Sequence, residues 1–257
     1  MNRIKDYSKL EFDIGRWITD YYYFHAIESL VVGVSGGIDS AVVSTLCAKT
    51  GLPTYVVCMP LDSKFINSNL SDIHSKALAD KYENVTRVEI ELSSAYDHFM
   101  HSVNWWSDAQ HFDKNEFTND ELANANTKSR LRMVTLYQVA GAKKGIVVGT
   151  GNKVEDYGIG FYTKYGDGGV DIAPIADLYK TEVWELGRHL GVDQRIIDAT
   201  PTDGLWSDSR TDEDQIGASY EQLEEAMEYR RGPALDILDE YNKKNSHKMN
   251  PIPTFKL

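Results

Sequence analysis

The sequence predicts an α/β protein in which a doubly wound parallel sheet carries helices on both faces, and three observations support this fold class. Short apolar segments alternate with segments of helical periodicity between residues 31 and 150. Residues 145–150 form a short apolar segment of the kind that parallel sheets bury on both faces. Residues 33–40 supply a glycine- and serine-rich turn between an apolar segment and a helix. Ligands of such sheets bind at the carboxyl ends of the strands.

The predicted elements follow one another along the whole chain. Strands are predicted over residues 31–34, 54–59, 85–92 and 145–150. Helices are predicted over residues 41–49, 66–82, 119–144, 180–190, 220–229 and 233–243. An aromatic N-terminal helix around Trp17 precedes them, and Gly191 is the expected C-cap of the helix at 180–190. Residues 105–118 and the glycine-rich residues 156–174 lack periodicity and are predicted to be loops. We expect a single domain over residues 1–257, because no internal repeat or linker is apparent.

Composition and charge disfavour several classes of protein. The 257 residues carry a net charge of −12, which weighs against binding along DNA or RNA because such binding needs Lys and Arg at the phosphates. No segment approaches the ~18 apolar residues of a membrane span, and the N-terminus lacks the apolar region of a signal peptide. Cys47 and Cys58 form neither a CxxC motif nor a zinc signature. We therefore expect a cytoplasmic protein with reduced thiols, no nucleic-acid partner and no membrane partner.

The turn at residues 33–40 has the composition of a phosphate-binding loop. Gly36 and Gly37 lack a Cβ atom, so the turn can take left-handed dihedral angles and bring its amides close to an anion. Ser35 and Ser40 add hydroxyl donors. The helix that follows directs its free N–H groups and the positive end of its dipole to the same place. The turn is therefore a candidate cradle for the phosphates of a nucleotide.

Asp39 and the glycine spacing distinguish this turn from other phosphate-binding loops. A carboxylate among phosphates is repulsive unless a cation lies between them, so Asp39 indicates Mg²⁺ between protein and nucleotide. A Walker A loop would place Lys after the glycines, and a dinucleotide fingerprint would read GxGxxG. A plain strand-to-helix turn needs one glycine and no acid. The motif SGGIDS resembles the SGGxDS loop of the ATP pyrophosphatases, which cleave ATP between the α and β phosphates and leave AMP on a substrate.

A second group of motifs narrows this resemblance. Residues 126–133 read NTKSRLRM, residues 149–155 read GTGNKVE, residues 161–171 read FYTKYGDGGVD, and Lys180 follows them. In this order after SGGIDS, they resemble the ammonia-dependent NAD synthetases over about residues 31–220. Taken singly, the cations of the first motif could be an exposed helix face, and the glycine motif could be a plain connection. The resemblance implies a Rossmann-like fold of the adenine nucleotide alpha hydrolase type.

The resemblance also implies an AMP-forming carbon–nitrogen ligase of NAD biosynthesis. Such an enzyme transfers AMP from ATP to the nicotinate carboxylate of deamido-NAD and releases pyrophosphate. Ammonia then displaces AMP to give NAD⁺, in the last step of the pathway. We expect no glutamine amidohydrolase domain, so ammonia is the nitrogen source, either free or supplied by a separate protein. Two alternatives stay open at this point: another AMP-forming ligase with an SGGxDS loop, and a module that binds ATP without turnover.

Carried over residue by residue, the resemblance implies a role for each matching position. The positions that match ATP contacts are Gly33, Val34, Ser35, Gly36, Gly37, Ile38, Asp39, Ser40, Thr150, Lys180 and Thr202. The positions that match deamido-NAD contacts are Arg130, Lys164, Asp171, His247 and Lys248. For His247, an isolated surface histidine is the competing interpretation. Asp39 and Glu155 are the expected Mg²⁺ ligands, and Asp39, Asp167 and Lys180 are the expected catalytic residues.

Three further expectations rest on the resemblance. Asp167 is expected to take a proton from ammonium, the form in which most ammonia exists at neutral pH. Residues 202–217 resemble a loop that orders over ATP and are expected to act as a lid. The chain is expected to form a homodimer, although core packing explains the aromatic N-terminal helix equally well. Residues 59–64 match the family only loosely, so contacts to adenine are left unassigned.

Overall fold

A four-stranded parallel sheet forms the centre of the protein. The computed structural model describes residues 3–61, 67–109, 120–202 and 211–256. The strands are β1 (Ser29–Gly33), β2 (Thr54–Cys58), β3 (Val85–Glu89) and β4 (Gly145–Val147), in the spatial order β3-β2-β1-β4. In register, Val31 of β1 lies opposite Tyr55 of β2 on one side and Val147 of β4 on the other. The parallel sheet predicted from the apolar segments is therefore confirmed.

Helices surround this sheet and continue beyond it. They are α1 (Tyr7–Phe24), α2 (Ile38–Lys49), α3 (Asn67–Lys81), α4 (Ser93–Ala109), α5 (Glu121–Ala142), α6 (Lys180–Leu190), α7 (Gln194–Ile197), α8 (Asp212–Ile216), α9 (Tyr220–Tyr229) and α10 (Leu235–Met249). A π-helix at Lys153–Ile159 lies between β4 and α6. Gly191 ends α6 in the left-handed conformation with φ of 73°, as predicted for its C-cap. No described helix is long and apolar enough to cross a lipid bilayer.

The two faces of the sheet bury different side chains of the same strands. Leu30 and Val32 of β1 pack with α1, α2 and α6 in the largest apolar cluster. Val31 and Val57 point the other way and pack with Ala140 of α5. Because both faces are covered, β1 carries apolar residues without alternation, and Leu30, Val31 and Val32 are fully buried. The doubly wound arrangement with helices on both faces is confirmed.

A second apolar cluster positions the π-helix beside the sheet. Tyr220 and Leu223 of α9 pack in this cluster with Ile159 at the end of the π-helix. From α10, Asn242 donates a hydrogen bond to the carbonyl of Gly158 at 3.1 Å, and Asn245 donates one to the carbonyl of Ile159 at 2.8 Å. These side chains satisfy carbonyls at the end of the π-helix, which therefore depends on α9 and α10 for its position.

The structure corrects three predictions of local structure. Residues 105–109 belong to α4 and are not an irregular excursion, while residues 110–118 lie outside the described part of the chain. Residues 156–159 belong to the π-helix, and the backbone turns away only at Gly160, with φ of 62°. Helix α10 continues past residue 243 to Met249.

Each correction has a physical reason in the local sequence. In α4, Ser102 donates to the carbonyl of His98 at 2.9 Å and Trp105 is 66% exposed, so neither residue signals a buried helix face. In α10, the polar residues 242–249 include no glycine or proline that would end the helix. The π-helix begins at Lys153 because Asn152 supplies its N-cap, which is described with the site below.

Candidate active site at the carboxyl ends of the strands

The sequence motifs meet where the strand order reverses. From β1 the chain moves outward to β2 and β3, and it then returns on the other side of β1 to form β4. The turn after β1 and the segment after β4 therefore border one crevice at the carboxyl ends of these strands. Thr150 follows the end of β4 on this side, and the neighbouring Gly149 donates its N–H to the carbonyl of Ile172 at 2.7 Å. This crevice is the ligand site that the fold class predicts.

The turn after β1 uses left-handed backbone at one of its two glycines. Gly36 has φ of 93°, which favours glycine, whereas Gly37 is the N-cap of α2 with φ of −85° and extended backbone. The expectation of left-handed geometry therefore holds for Gly36 alone, because an N-cap residue takes extended dihedral angles. Gly37 has no side chain with which to cap α2, so within the described chain the first N–H groups of α2 remain available to an anion.

Two serine hydroxyls hold this turn in shape. Ser40 Oγ lies 3.1 Å from Ser35 Oγ and donates to the carbonyl of Gly37 at 3.0 Å. The N–H of Gly37 donates to Ser35 Oγ at 3.2 Å, and the N–H of Ser35 donates to Ser40 Oγ at 3.2 Å. The predicted donors therefore stabilise the loop itself before any ligand arrives, so the cradle is preformed.

Lys180 brings the two predicted metal ligands together. Its Nζ lies 2.7 Å from Asp39 Oδ2 and 2.7 Å from Glu155 Oε1. The side chain of Lys180 is 3% exposed, whereas those of Asp39 and Glu155 are 16% and 17% exposed. Each acid therefore keeps a surface toward the crevice while sharing one buried cation. Within the described residues, no group of three or more His, Cys, Asp or Glu side chains converges as a metal cluster.

Asn152 and Tyr220 align the two acids, and the motif analysis assigned neither a role. Asn152 Nδ2 donates to Asp39 Oδ1 at 3.1 Å, while its Oδ1 accepts the N–H groups of Val154 and Glu155 as the cap of the π-helix. The Tyr220 hydroxyl donates to Glu155 Oε1 at 2.7 Å. Asn152 has a sequence signal, because it stands at a helix start inside the GTGNKVE motif. Tyr220 has none, because its place depends on the packing of α9.

Burial and mutual charge set the protonation of this cluster. Burial lowers the pKa of Lys180, but the two carboxylates outweigh it and hold the pKa above its ordinary value. For Glu155, burial raises the pKa, but Lys180 and the hydrogen bond from Tyr220 lower it more, so this acid is held as the carboxylate. Burial and the charge of Glu155 raise the pKa of Asp39. The two acids share one cation, Lys180, but their pKa values are shifted in opposite directions.

The glycines of the YGDGG loop pack closely against their neighbours, while Asp167 is exposed and held by hydrogen bonds. The carboxylate oxygen Oδ1 of Asp167 accepts a hydrogen bond from Ser129 Oγ at 2.7 Å and one from the N–H of Thr163 at 3.0 Å. A Cβ atom on Gly166 would lie 2.3 Å from Ser129 Oγ, and one on Gly168 would lie 2.4 Å from the ring of Tyr162. These glycines are therefore required by close packing, which disfavours the interpretation of the loop as a plain connection.

Four of the five predicted deamido-NAD residues lie together. Lys164 Nζ donates to the carbonyl of His247 at 2.7 Å, and Arg130 Nε donates to the carbonyl of Lys164 at 3.4 Å. Lys248 Nζ donates to the carbonyl of Tyr162 at 2.8 Å. These contacts join α5, the YGDGG loop and α10 into one basic surface. The contact at His247 is made by its backbone carbonyl, whereas its exposed ring nitrogen Nδ1 lies 3.2 Å from the carbonyl of Lys244 in the same helix. The role of the His247 ring therefore stays a prediction, and the interpretation as an isolated surface histidine stays open.

Asp171 has a different environment. Its Oδ2 accepts the N–H of Val147 at 2.7 Å, and its Oδ1 accepts the hydroxyl of Tyr137 at 3.0 Å. Burial together with the carboxylate of Asp171 raises the pKa of Tyr137 to about 12. In this structure Asp171 is hydrogen-bonded to the end of β4, and no described contact joins it to the basic surface. Its assignment to deamido-NAD stays a prediction.

The predicted lid is described only in part. Thr202 follows α7, and residues 203–210 lie outside the described chain. Beyond them, α8 begins with a capping box at Thr211 and ends at Gly217 with φ of 86°. The closure of this segment over ATP stays a prediction. The loosely matching loop at residues 59–64 is also described only up to Leu61.

The fold and the site were compared with known proteins. The family described as NAD synthase matches residues 12–251. The NH(3)-dependent NAD(+) synthetase of Finegoldia magna is 34% identical over 252 residues, which are 97% of this chain and 97% of that relative. The resemblance predicted from the SGGIDS, GTGNKVE and YGDGG motifs is confirmed.

Two solved structures are similar over nearly the whole chain. The NMN synthetase from Francisella tularensis has a TM-score of 0.87 at 31% identity, and the match covers 99% of this chain and 100% of that one. The NH3-dependent NAD synthetase from Campylobacter jejuni subsp. jejuni has a TM-score of 0.75 at 26% identity, covering 98% of this chain and 100% of that one. These matches confirm the predicted fold class, and the chain belongs to the NAD synthase family.

Proposed function

We propose that this chain is an ammonia-dependent ligase that converts deamido-NAD to NAD⁺ and turns ATP into AMP and pyrophosphate. The observation that carries the proposal is the convergence of Asp39 and Glu155 on Lys180, beside a preformed phosphate-binding turn. The relative from Finegoldia magna is named for this activity. A module that only senses ATP has no use for paired acids at the scissile bond, and another AMP-forming ligase is disfavoured by the family of the chain.

The paired acids fit Mg²⁺. They offer carboxylate oxygens, which this hard cation prefers, and their oxygens already lie around one cationic atom, Lys180 Nζ, at 2.7 Å. Asp39 and Glu155 would hold the ion, while Asn152 and Tyr220 orient them. When bound, Mg²⁺ neutralises charge on the phosphates during transfer.

The protein groups at the turn assist the first half-reaction. A nicotinate carboxylate oxygen attacks the α phosphorus of ATP, the bond to the pyrophosphate oxygen breaks, and pyrophosphate leaves. The N–H groups at the start of α2 bind phosphate oxygens, with the serine hydroxyls holding the turn open to them. Lys180 supplies a fixed positive charge beside the reacting phosphate.

The second half-reaction forms the amide. Ammonium loses one proton, for which Asp167 is the proposed acceptor, and the nitrogen lone pair attacks the adenylated carbon. The bond from that carbon to the AMP oxygen breaks, AMP leaves with the electron pair, and the nitrogen gives up a second proton. Arg130, Lys164 and Lys248 form a basic surface suited to the phosphates of the dinucleotide.

Nicotinate mononucleotide is a second candidate substrate. The higher TM-score belongs to the structure of an NMN synthetase, at 0.87, against 0.75 for the structure of an NAD synthetase. The mononucleotide presents the same nicotinate carboxylate but lacks the AMP half. The same adenylation and amidation chemistry would therefore apply, with NMN as the product.

Pyrophosphate release distinguishes these possibilities. The enzyme would be supplied with ATP and Mg²⁺ alone, with deamido-NAD added, or with nicotinate mononucleotide added, and the amide product would be identified by mass. We expect release to depend on deamido-NAD and to yield NAD⁺. A higher kcat/KM for the mononucleotide would transfer the assignment to NMN synthesis. Pyrophosphate release that depends on neither deamido-NAD nor nicotinate mononucleotide would refute both candidate substrates.

The oligomeric state and the cellular location of the enzyme are further parts of the proposal. We propose a homodimer, supported by aromatic residues that α1 leaves on the surface, with Phe24 84% and Tyr23 69% exposed. A size measurement in solution tests this, and a fully active monomer would refute it. We further propose that the chain is a single synthetase domain and that it uses ammonia instead of glutamine. Its proposed location is cytoplasmic. Two buried free cysteines, Cys47 and Cys58, agree with a reducing compartment.

A further inference from the structure

We propose that Glu224 is a positioning residue for the ligase reaction, because it fixes the first turn of α6 and thereby the ammonium group of Lys180. The inference rests on the proposed function, in which Lys180 supplies positive charge beside the reacting phosphate. Neither the motifs nor the resemblance assigns a role to Glu224, which belongs to α9 and lies 43 residues after Thr181 in the chain. Its carboxylate reaches the start of α6, where Lys180 is the first helical residue.

The start of α6 is capped from another helix. The N-cap residue, Tyr179, makes no side-chain hydrogen bond to α6, so it leaves the N–H of Thr181 to another part of the protein. Glu224 of α9 takes this place. One of its carboxylate oxygens accepts the N–H of Thr181 at 2.9 Å, and the other accepts the Thr181 hydroxyl at 2.7 Å. The residue directly after Lys180 is therefore held by two hydrogen bonds.

Helix α9 also orients one of the acids that Lys180 contacts. Tyr220 and Glu224 are four residues apart, so they lie on one face of α9, one turn from each other. The Tyr220 hydroxyl donates to Glu155 Oε1 at 2.7 Å, and the centre of the Tyr220 ring lies 5.0 Å from Lys180 Nζ. Both partners of the contact between Lys180 and Glu155 are therefore held by α9. The distance of 2.7 Å between these two groups depends on a single element.

Glu224 is buried at this contact, with 2% of its surface exposed. Burial raises the pKa of its carboxyl group, although the two hydrogen bonds from Thr181 oppose the shift. A buried carboxylate is costly even when it is hydrogen-bonded, and a serine or aspartate as the N-cap would bond the same N–H locally. Such a local cap would not join α6 to α9. The cap from Glu224 therefore fixes α6 relative to the helix that orients Glu155.

The test uses Glu224→Ala in the full chain, because this change removes both hydrogen bonds to Thr181. Adenylation is measured as exchange of pyrophosphate into ATP in the presence of deamido-NAD and Mg²⁺. We expect its kcat to fall about ten- to hundredfold, the effect of displacing a catalytic group, while the KM for ATP stays within about twofold. A variant that only loses stability would keep its kcat at temperatures where it is folded. The split between kcat and KM therefore separates positioning from structural support.

Two milder variants refine the test. In Glu224→Gln, the amide oxygen can accept the N–H of Thr181 and the amide nitrogen can donate to its hydroxyl, so kcat should recover to within about threefold of the unsubstituted enzyme. Thr181→Val removes only the hydroxyl bond and should lower kcat about two- to fivefold. Added to Glu224→Ala, it should cause no further loss, because that bond is already absent. These variants test the proposal even if Glu224→Ala does not fold.

Val85→Ala is the matched control for lost stability. Val85 is 7% exposed in β3, at the opposite edge of the sheet from β4, so this change weakens the core away from Lys180. Its kcat of exchange should stay within about twofold of the unsubstituted enzyme. An undiminished kcat in Glu224→Ala or in Thr181→Val, or an equal fall in Val85→Ala, would overturn the positioning role. Absence of exchange in the unsubstituted enzyme would instead refute the proposed function.

Discussion

The cluster around Lys180 differs from a cavity of about 140 Å³ that Asp156, Asp167 and Gly151 border in how its charges are balanced. At the cluster, two carboxylates share a buried ammonium group at 2.7 Å, and Asn152 and Tyr220 supply further hydrogen bonds. At the cavity, Asp156 has no donor within the described chain, and Asp167 is bonded through one oxygen to Ser129 and to the backbone.

This difference distinguishes a preassembled region from one that is open to solvent. A cluster with internal partners keeps its geometry in the empty protein, since breaking it would expose buried charge. At the cavity, Asp156 is only partly buried and Asp167 is exposed, so solvent reaches both residues. The phosphate side of the site is thus held by internal partners, whereas the side at Asp167 is solvated. The predictions below test each half of this contrast, from the largest expected effect to the smallest.

Replacing Lys180 with Met should cause the largest change, because it leaves two buried carboxylates without their shared cation. We expect the free energy of unfolding to fall by about 3–5 kcal/mol in the absence of Mg²⁺. The fall should be smaller when Mg²⁺ is present, because the ion occupies the same acids. Urea denaturation with and without Mg²⁺ measures both values.

Lys153→Met is the matched control for this prediction. Lys153 pairs with Asp177 at 2.7 Å, but that acid is 87% exposed, so the loss should be below about 1 kcal/mol. Equal losses in the two variants, or a loss at Lys180 that Mg²⁺ does not reduce, would mean that the cluster is not a preassembled metal site.

Replacing Tyr220 with Phe tests the alignment of Glu155 within the same cluster. The change removes the hydroxyl that donates to Glu155 at 2.7 Å and keeps the ring, so we expect a loss of about 1–3 kcal/mol in unfolding free energy. Because Glu155 is then less well oriented, adenylation should need a higher Mg²⁺ concentration for half-maximal rate.

Tyr179→Phe provides the comparison for Tyr220. Tyr179 is equally buried, and its hydroxyl donates to Glu228 at 2.9 Å, away from Asp39 and Glu155. A similar loss of stability is expected there, without a change in the Mg²⁺ requirement. If both variants shifted the Mg²⁺ dependence alike, the role of Tyr220 would reduce to packing.

Replacing Gly151 with Ala tests the cavity with a small effect on stability. The added methyl group would displace the end of the Asp156 side chain, which lies 1.8 Å from the position of the new Cβ. We expect a change of less than about 1 kcal/mol in unfolding free energy and a rise of about three- to tenfold in the KM for ammonium, because Asp156 borders the same cavity as Asp167, the proposed proton acceptor. Steady-state rates at varied ammonium concentration measure this.

Gly141→Ala is the control for this change, since nothing lies within 4 Å of the position that its Cβ would occupy. It should leave the KM for ammonium unaltered. A normal KM in Gly151→Ala would show that the carboxylate of Asp156 does not need its observed position.

The fold was predictable because its signals are local. Apolar segments without alternation predict strands that are buried on both faces, and Leu30, Val31 and Val32 are buried in this way. The SGGIDS turn predicts its own anion site, since its glycines and serines are neighbours in the chain. The end of α4 escaped prediction, and Trp105 there is 66% exposed and gives no signal of a buried helix face.

The site residues were predictable only from the resemblance to a family, because no local pattern in the sequence brings them together. Lys180 and Asp39 are 141 residues apart, so no pattern of spacing brings them together. Tyr220 reaches Glu155 through the packing of α9, which only tertiary structure shows. Asp156 falls in a segment predicted to be a loop, and its place beside the same cavity as Asp167 is shown only by the structure, in which residues 153–159 are helical.

The π-helix has a consequence for how this protein can change. It carries Glu155 and Asp156 side by side, and successive residues of a helix point in different directions, so one short turn supplies both neighbouring pockets. Inserting or deleting a residue in this turn would rotate both acids at once. The cluster at Glu155 and the cavity at Asp156 are therefore expected to be kept or lost together, and engineering of either one will have to preserve the length of this segment.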